Sequence, residues 1–128
     1  MGRVLVADDE THIVQVLALK FRNAGLEVLE ASDGEEALNI ARDAELDVIV
    51  TDVQMPFMTG IELAEALMRD SDLKDVPVLV LTARGWSMDE RLRGLPNVRA
   101  VLNKPFSPRE VLGEVMTLIQ PDTERRAA

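Results

Sequence analysis

The chain has 128 residues, 14 Lys plus Arg against 23 Asp plus Glu for a net charge of −9, and no cysteine. That length closes one core and no second domain of ordinary size. The charge has the wrong sign for direct contact with nucleic acid, and without cysteine there is neither a disulfide framework nor thiol chemistry. No opening stretch resembles a signal peptide, and the apolar runs stop far short of the ~20 residues that cross a bilayer. A soluble, cytoplasmic protein with no membrane partner is expected.

Short apolar runs alternate with helical patterns along the chain, which predicts repeated βα units around a parallel sheet. "RVLVA" (3–7) reads as the first strand. Ile13, Val16, Leu17, Phe21 and Ala24 then recur at helical spacing, and Gly25 stands where a C-terminal cap belongs. "LEVLEA" (26–31) is the second strand, and Asp33 with Glu36 opens a second helix in the manner of a capping box. "LDVIVT" (46–51) is the third strand, followed by a helix that begins near Gly60 and runs through Leu63, Ala64 and Leu67. "VPVLVLT" (76–82) is the fourth, with a short helix between Ser87 and Leu95, and "VRAVLN" (98–103) the fifth. The last helix has Ser107 as N-cap, Pro108 at its first position and Glu110 at its third, with Val111, Leu112, Val115, Leu118 and Ile119 on one face. After Pro121 the tail "DTERRAA" has no apolar residue beyond alanine to bury, so the domain is drawn at 1–120, with 121–128 a flexible tail or linker stub. Right-handed crossovers make such a chain an α/β doubly wound five-stranded parallel sheet, and ligands bind outside the carboxyl ends of its strands.

Those ends carry acids. The first strand runs into Asp8, Asp9 and Glu10, the third into Asp52, the fourth into Thr82 and the fifth into Lys104 and Pro105. Three carboxylates, Asp8, Asp9 and Asp52, gathered on one rim would repel one another unless a cation sat among them. Mg²⁺ suits such a set, since it takes one or two carboxylates and completes its shell with water and phosphate oxygens. A carboxylate is also a nucleophile toward phosphorus, so Asp52 could accept a phosphoryl group while Lys104 and the Thr82 hydroxyl held its oxygens.

"VLVADDE", "VTDVQMPFMTG", "LTA" and "NKPF", in that order, resemble the receiver domains of two-component response regulators over residues 3 to about 119. Each motif alone is weak. Together, with 43 residues from Asp9 to Asp52, 30 to Thr82 and 22 to Lys104, they are specific. The resemblance implies the flavodoxin-like (βα)5 fold with strand order 2-1-3-4-5. It implies Asp52 as phosphoacceptor and a Mg²⁺ or Mn²⁺ ion held by Asp9, Asp8, Asp52 and the Gln54 backbone carbonyl. It further implies Lys104 as the phosphoryl-contacting lysine with a cis bond to Pro105, Thr82 as the switch hydroxyl, and Ala83 beside it. The donor would be a histidine kinase or a histidine phosphotransfer protein, and phosphorylation would alter a face near the fourth helix, fifth strand and fifth helix that binds a downstream protein. Homodimerisation on phosphorylation stays open.

Departures from the family pattern fall on two places. An aromatic switch residue is replaced by Val101, and Asn97 stands where a glycine is common, a residue that tolerates left-handed backbone second best. At Gln54 and Arg84, each two residues after a site residue, the resemblance implies side chains that tune loss of the phosphoryl group. Against the phosphoacceptor reading stands a receiver-like docking or dimerisation module that needs no phosphate, for which Val101 is the best argument. Phosphatases of the haloacid-dehalogenase type want a second aspartate where Gln54 stands, and no glycine-rich nucleotide loop is present. His12 reads as a solvent-facing residue, and Phe57, Trp86 and Phe106 as packing.

Overall fold

A computed structural model describes the backbone of residues 2–83 and 90–127. Five strands, β1 (Arg3–Ala7), β2 (Glu27–Ala31), β3 (Val48–Asp52), β4 (Val78–Thr82) and β5 (Val98–Asn103), form one sheet in the order β2-β1-β3-β4-β5. Every pairing is parallel, with Val4 opposite both Val28 and Val48, and Ile49 opposite Val78. The helices are α1 (Thr11–Asn23), α2 (Gly34–Asp43), α3 (Gly60–Met68), α4 (Glu90–Arg93) and α5 (Pro108–Ala127). The doubly wound fold and strand order expected from the sequence are those observed.

Side chains alternate across each strand, so a strand covered on both faces must be apolar throughout. Leu5, Ile49, Val78 and Val80 point to one face and pack with Leu38, Leu63 and Leu67 of α2 and α3. Val4, Val6, Val48, Val50, Leu79 and Leu81 point to the other and pack with Leu17 and Phe21 of α1 and Val111 and Val115 of α5. Each such side chain, if fully buried, is worth roughly 1.5–3 kcal/mol. The edge strands break the pattern, with Glu27 and Glu30 on β2 and Arg99 on β5 exposed. Charges there discourage pairing with another chain's edge.

The helix ends follow their local chemistry. At the end of α1, Gly25 at φ 92° lets its own N–H reach the Arg22 carbonyl and the Leu26 N–H the Phe21 carbonyl, a Schellman cap. A full capping box opens α3, where Thr59 and Glu62 exchange side-chain and backbone bonds, and another opens α5 between Ser107 and Glu110. In α2 only half the box forms. The Asp33 carboxylate accepts from the Glu36 N–H, whereas Glu36 Oε1 accepts from the Ser32 N–H.

Three expectations are corrected. The buried stripe of α1 is Val14, Leu17, Ala18 and Phe21, which rotates Val16 to the surface at 36 % exposure and leaves Ala24 exposed. Asn97 is not left-handed. It is buried and its amide donates to the Ala64 carbonyl at 3.1 Å, tying the start of β5 to α3. Phe106 is half-buried against the core that α1 and α5 cover, but Phe57 joins neither core, being 80 % exposed with φ 68°. The Met58 N–H reaches back to the Pro56 carbonyl at 2.7 Å, a three-residue turn of the rare positive-φ kind, which for a bulky residue costs about 1–3 kcal/mol. The backbone of α5 is helical through Pro121 to Ala127. His12 is exposed, as expected, while Trp86 and Ser87 lie outside the described residues.

Candidate functional site

The acids converge where the parallel ladder ends. The Asp8 N–H is fixed to the Ala31 carbonyl at 3.1 Å, just past β1, and Asp52 is the last residue of β3. Lys104 follows β5, its N–H bonded to the Thr82 carbonyl at 2.8 Å, and its bond to Pro105 is cis, as expected. Carboxylate oxygens of Asp8, Asp9 and Asp52 lie within 4.8 Å of one another, the one such acidic group among the described residues.

Their surroundings differ. Asp8 is 1 % exposed, with Oδ1 accepting the Glu10 N–H at 2.9 Å and Oδ2 buried without a hydrogen-bond partner. Burial pushes its pKa up from 3.8 to about 6, opposed by the Glu10 N–H and reinforced by the charge of Asp52. Asp52 is 5 % exposed, and burial raises its pKa too, though the Lys104 ammonium, 3.4 Å from Oδ1, pulls the other way. Asp9 is exposed. Lys104 also lies 3.7 Å from Glu10 Oε1. Partial burial works against its charge, yet Asp52, Asp8 and Glu10 together hold its pKa above the ordinary lysine value. One ammonium thus stands against a surplus of carboxylates, and one oxygen of Asp8 is buried with no hydrogen-bond partner. Such a donor set, all hard oxygen, fits a divalent cation of the Mg²⁺ kind.

Over Asp52 lies a cleft of about 160 Å³ lined by Asp9, Glu10, Gln54, Ala83 and Lys104 among others. That is well below the ~300–1,000 Å³ of small-molecule pockets, so it has room for a small group and none for a nucleotide. Thr82 is wholly buried, with its hydroxyl donating to the Ala83 carbonyl at 3.1 Å. Val101 is half-buried against the core that α2 and α3 cover. Arg84 lies outside the described residues.

Two neighbours were named in the sequence analysis without a role at the site. Glu10 shares Lys104 with Asp52, and its signal was the third acid of "DDE". Gly60 opens α3 directly against the acceptor strand: a Cβ on it would collide with the Asp52 carbonyl oxygen, and its N–H donates to the Val53 carbonyl at 2.8 Å. The glycine eight residues after Asp52 was the signal.

Comparison with known proteins agrees with this arrangement. The sequence profile of the response regulator receiver domain matches residues 4–116. The phosphate regulon transcriptional regulatory protein PhoB of Pseudomonas aeruginosa is 36 % identical over 91 % of the chain, and the alkaline phosphatase synthesis transcriptional regulatory protein PhoP of Bacillus subtilis 38 % over 92 %. The chain spans about half the length of these two relatives, 51 % and 48 %. Among solved structures, the chemotaxis response regulator CheY4 of Vibrio cholerae superposes with a TM-score of 0.84 at 35 % identity, covering 92 % of this chain and 98 % of its own. The response regulator TrrA of Thermotoga maritima, solved in complex with Mg²⁺-BeF, superposes with a TM-score of 0.82 at 28 % identity, covering 92 % and 99 %.

Proposed function

The chain belongs to the family of response regulator receiver domains, and on that premise we propose that Asp52 accepts a phosphoryl group from the phosphohistidine of a histidine kinase or a histidine phosphotransfer protein. A carboxylate oxygen of Asp52 attacks phosphorus. The P–N bond breaks with its electron pair going to the histidine nitrogen, and an aspartyl phosphate is left on the chain. The observation that carries this reading is the pairing of a buried strand-end carboxylate with one lysine, 3.4 Å away, beneath a cleft sized for a small group.

Each neighbour has work to do in that transfer. Lys104 would take one phosphoryl oxygen as the Asp52 carboxylate becomes an acyl phosphate, a mixed anhydride, and releases it. The Thr82 hydroxyl, now on the Ala83 carbonyl, would rotate to a second oxygen, and that rotation is the switch. Asp8, Asp9, Asp52 and the Gln54 backbone carbonyl would hold Mg²⁺ or Mn²⁺, with the orphaned Asp8 Oδ2 as the strongest argument for it. When bound, the cation neutralises charge gathering on the phosphoryl oxygens. Gln54 is exposed at the cleft's rim and would tune the lifetime of the phosphoryl group, as would Arg84.

Output would follow from a shift between two conformations read at the face of α4, β5 and α5. Val101, in place of an aromatic, gives that face a smaller switch. A cytoplasmic setting fits these partners, and no described helix is long and apolar enough to cross a membrane. Any transcriptional output, of the kind the names of PhoB and PhoP describe, would lie in a part these relatives have beyond the span of this chain.

Intact mass after incubation with a small acyl phosphate tests the reading. A Mg²⁺-dependent gain of one phosphoryl group, absent in Asp52→Asn, is expected. No gain from folded protein would give the function to a docking or dimerisation module that works without phosphate, the reading Val101 favours.

A further inference from the structure

Phe57 is unsatisfied twice over: its ring stands 80 % exposed, and its backbone is held at φ 68°. Neither feature serves the cleft over Asp52, which Phe57 does not line. It lines another cleft, of about 580 Å³, against the outer side of α2. There Phe57, Ile40 and Ala44 make an apolar wall, and Asp33, Glu35, Glu36 and Asp43 stand around it. No lysine or arginine lines this cleft among the described residues. The acids do not neutralise one another, and two of the four are engaged, each through one oxygen, at the start of α2: Asp33 accepts the Glu36 N–H and Glu36 accepts from Ser32.

We propose that this cleft docks a basic segment of a partner protein, anchored by an arginine whose guanidinium stacks on the Phe57 ring and bridges the carboxylates beside it. An aromatic face next to carboxylates is the chemistry a planar guanidinium matches and a compact, strongly hydrated ammonium matches less well. The carboxylates repel an anionic ligand, and at net charge −9 they repel a second copy of this chain as well. The occupant is therefore a different, positively charged polypeptide. Its seat is tied to the acceptor strand by a short path, since Phe57 follows Asp52 by five residues and Met58 lies against Gly34 at the start of α2.

The test is a titration of the ¹⁵N-labelled chain with a blocked peptide of alternating arginine and leucine, beside its lysine counterpart. Expected are shifts confined to Asp33, Glu35, Ile40, Asp43 and Phe57, and affinity for the arginine peptide about fivefold above that for the lysine peptide. Phe57→Gly should lower the arginine affinity about fivefold without lowering Tm, because glycine takes φ 68° at no cost. Phe57→Tyr should keep the affinity, and Asp43→Lys should reduce it. All of these variants should take up phosphate on Asp52 as the parent does, so failure here is separable from failure of the phosphoacceptor reading. Shifts scattered over the acidic surface, equal affinity for the two peptides, or binding indifferent to Phe57→Gly would overturn the proposal. So would a self-association that Phe57→Gly abolishes, which would give the cleft to a second copy.

Discussion

Acids gather at both ends of the sheet, and the two ends treat them in opposite ways. At the amino ends of the strands, Asp47 accepts the Arg3 N–H at 2.8 Å, while the Arg3 side chain pairs with Glu27 at 2.9 Å and reaches the Glu45 carbonyl. A cleft of about 810 Å³ opens there, five times the volume of the one over Asp52. At the carboxyl ends, Asp8 keeps a buried oxygen with no partner, and Asp52 and Glu10 divide a single lysine. A carboxylate that finds its donors inside the fold has finished its task. One that the fold buries and leaves short of donors marks where something else is to bind. Cleft size, by contrast, points to the wrong end.

Removing the lysine should break the contrast most. Lys104→Met is expected to slow phosphorylation by acyl phosphate about 10²-fold, the usual loss on deleting one group that stabilises developing charge, read as the initial rate of mass gain. The next effect is one of stability. Because the folded pKa of Asp8 lies near 6, above its ordinary 3.8, the native state binds the proton more tightly than the unfolded chain. Metal-free stability should therefore fall as pH rises from about 4 to 6 and level off beyond, by up to about 3 kcal/mol for this group. Asp8→Asn should remove much of that slope and raise metal-free stability at pH 7.5 in urea unfolding. Mg²⁺ should raise Tm of the parent more at pH 7.5 than at pH 5.5, where Asp8 is mostly protonated, and hardly raise that of the variant. The smallest effect belongs to the satisfied end. Asp47→Ala should cost about 1–2 kcal/mol through the lost bond to the Arg3 N–H and leave the phosphorylation rate unchanged.

Much of this was legible in advance because a parallel sheet writes its faces and its rim into the chain separately. Continuous apolar runs gave all five strands, and the polar residues that stop those runs gave Asp8, Asp9, Asp52, Thr82 and Lys104. Strand starts were placed early at Leu26, Leu46 and Val76, which enter the core before the ladder begins. The misses have other causes. Val16 was assigned to the buried stripe because apolar spacing alone leaves the stripe's centre undetermined by a residue or two. The polar bond of Asn97 to Ala64 links segments 33 residues apart, and nothing local to Asn97 announces it. The left-handed backbone of Phe57 is invisible to a pattern of hydrophobicity, since the residue type argues against it. Helical backbone through Pro121 likewise runs against the residue that most often ends a helix.

The contact between Gly60 and the Asp52 carbonyl has one further consequence. With no side chain between them, the acceptor's main chain and the first turn of α3 form a single joint, and the two can be displaced only together. In a library of variants, position 60 should tolerate substitution as poorly as Asp52 itself, although it contributes no functional group to the chemistry. Selection for phosphoryl transfer would then preserve an absence, one missing methyl, as strictly as it preserves a carboxylate.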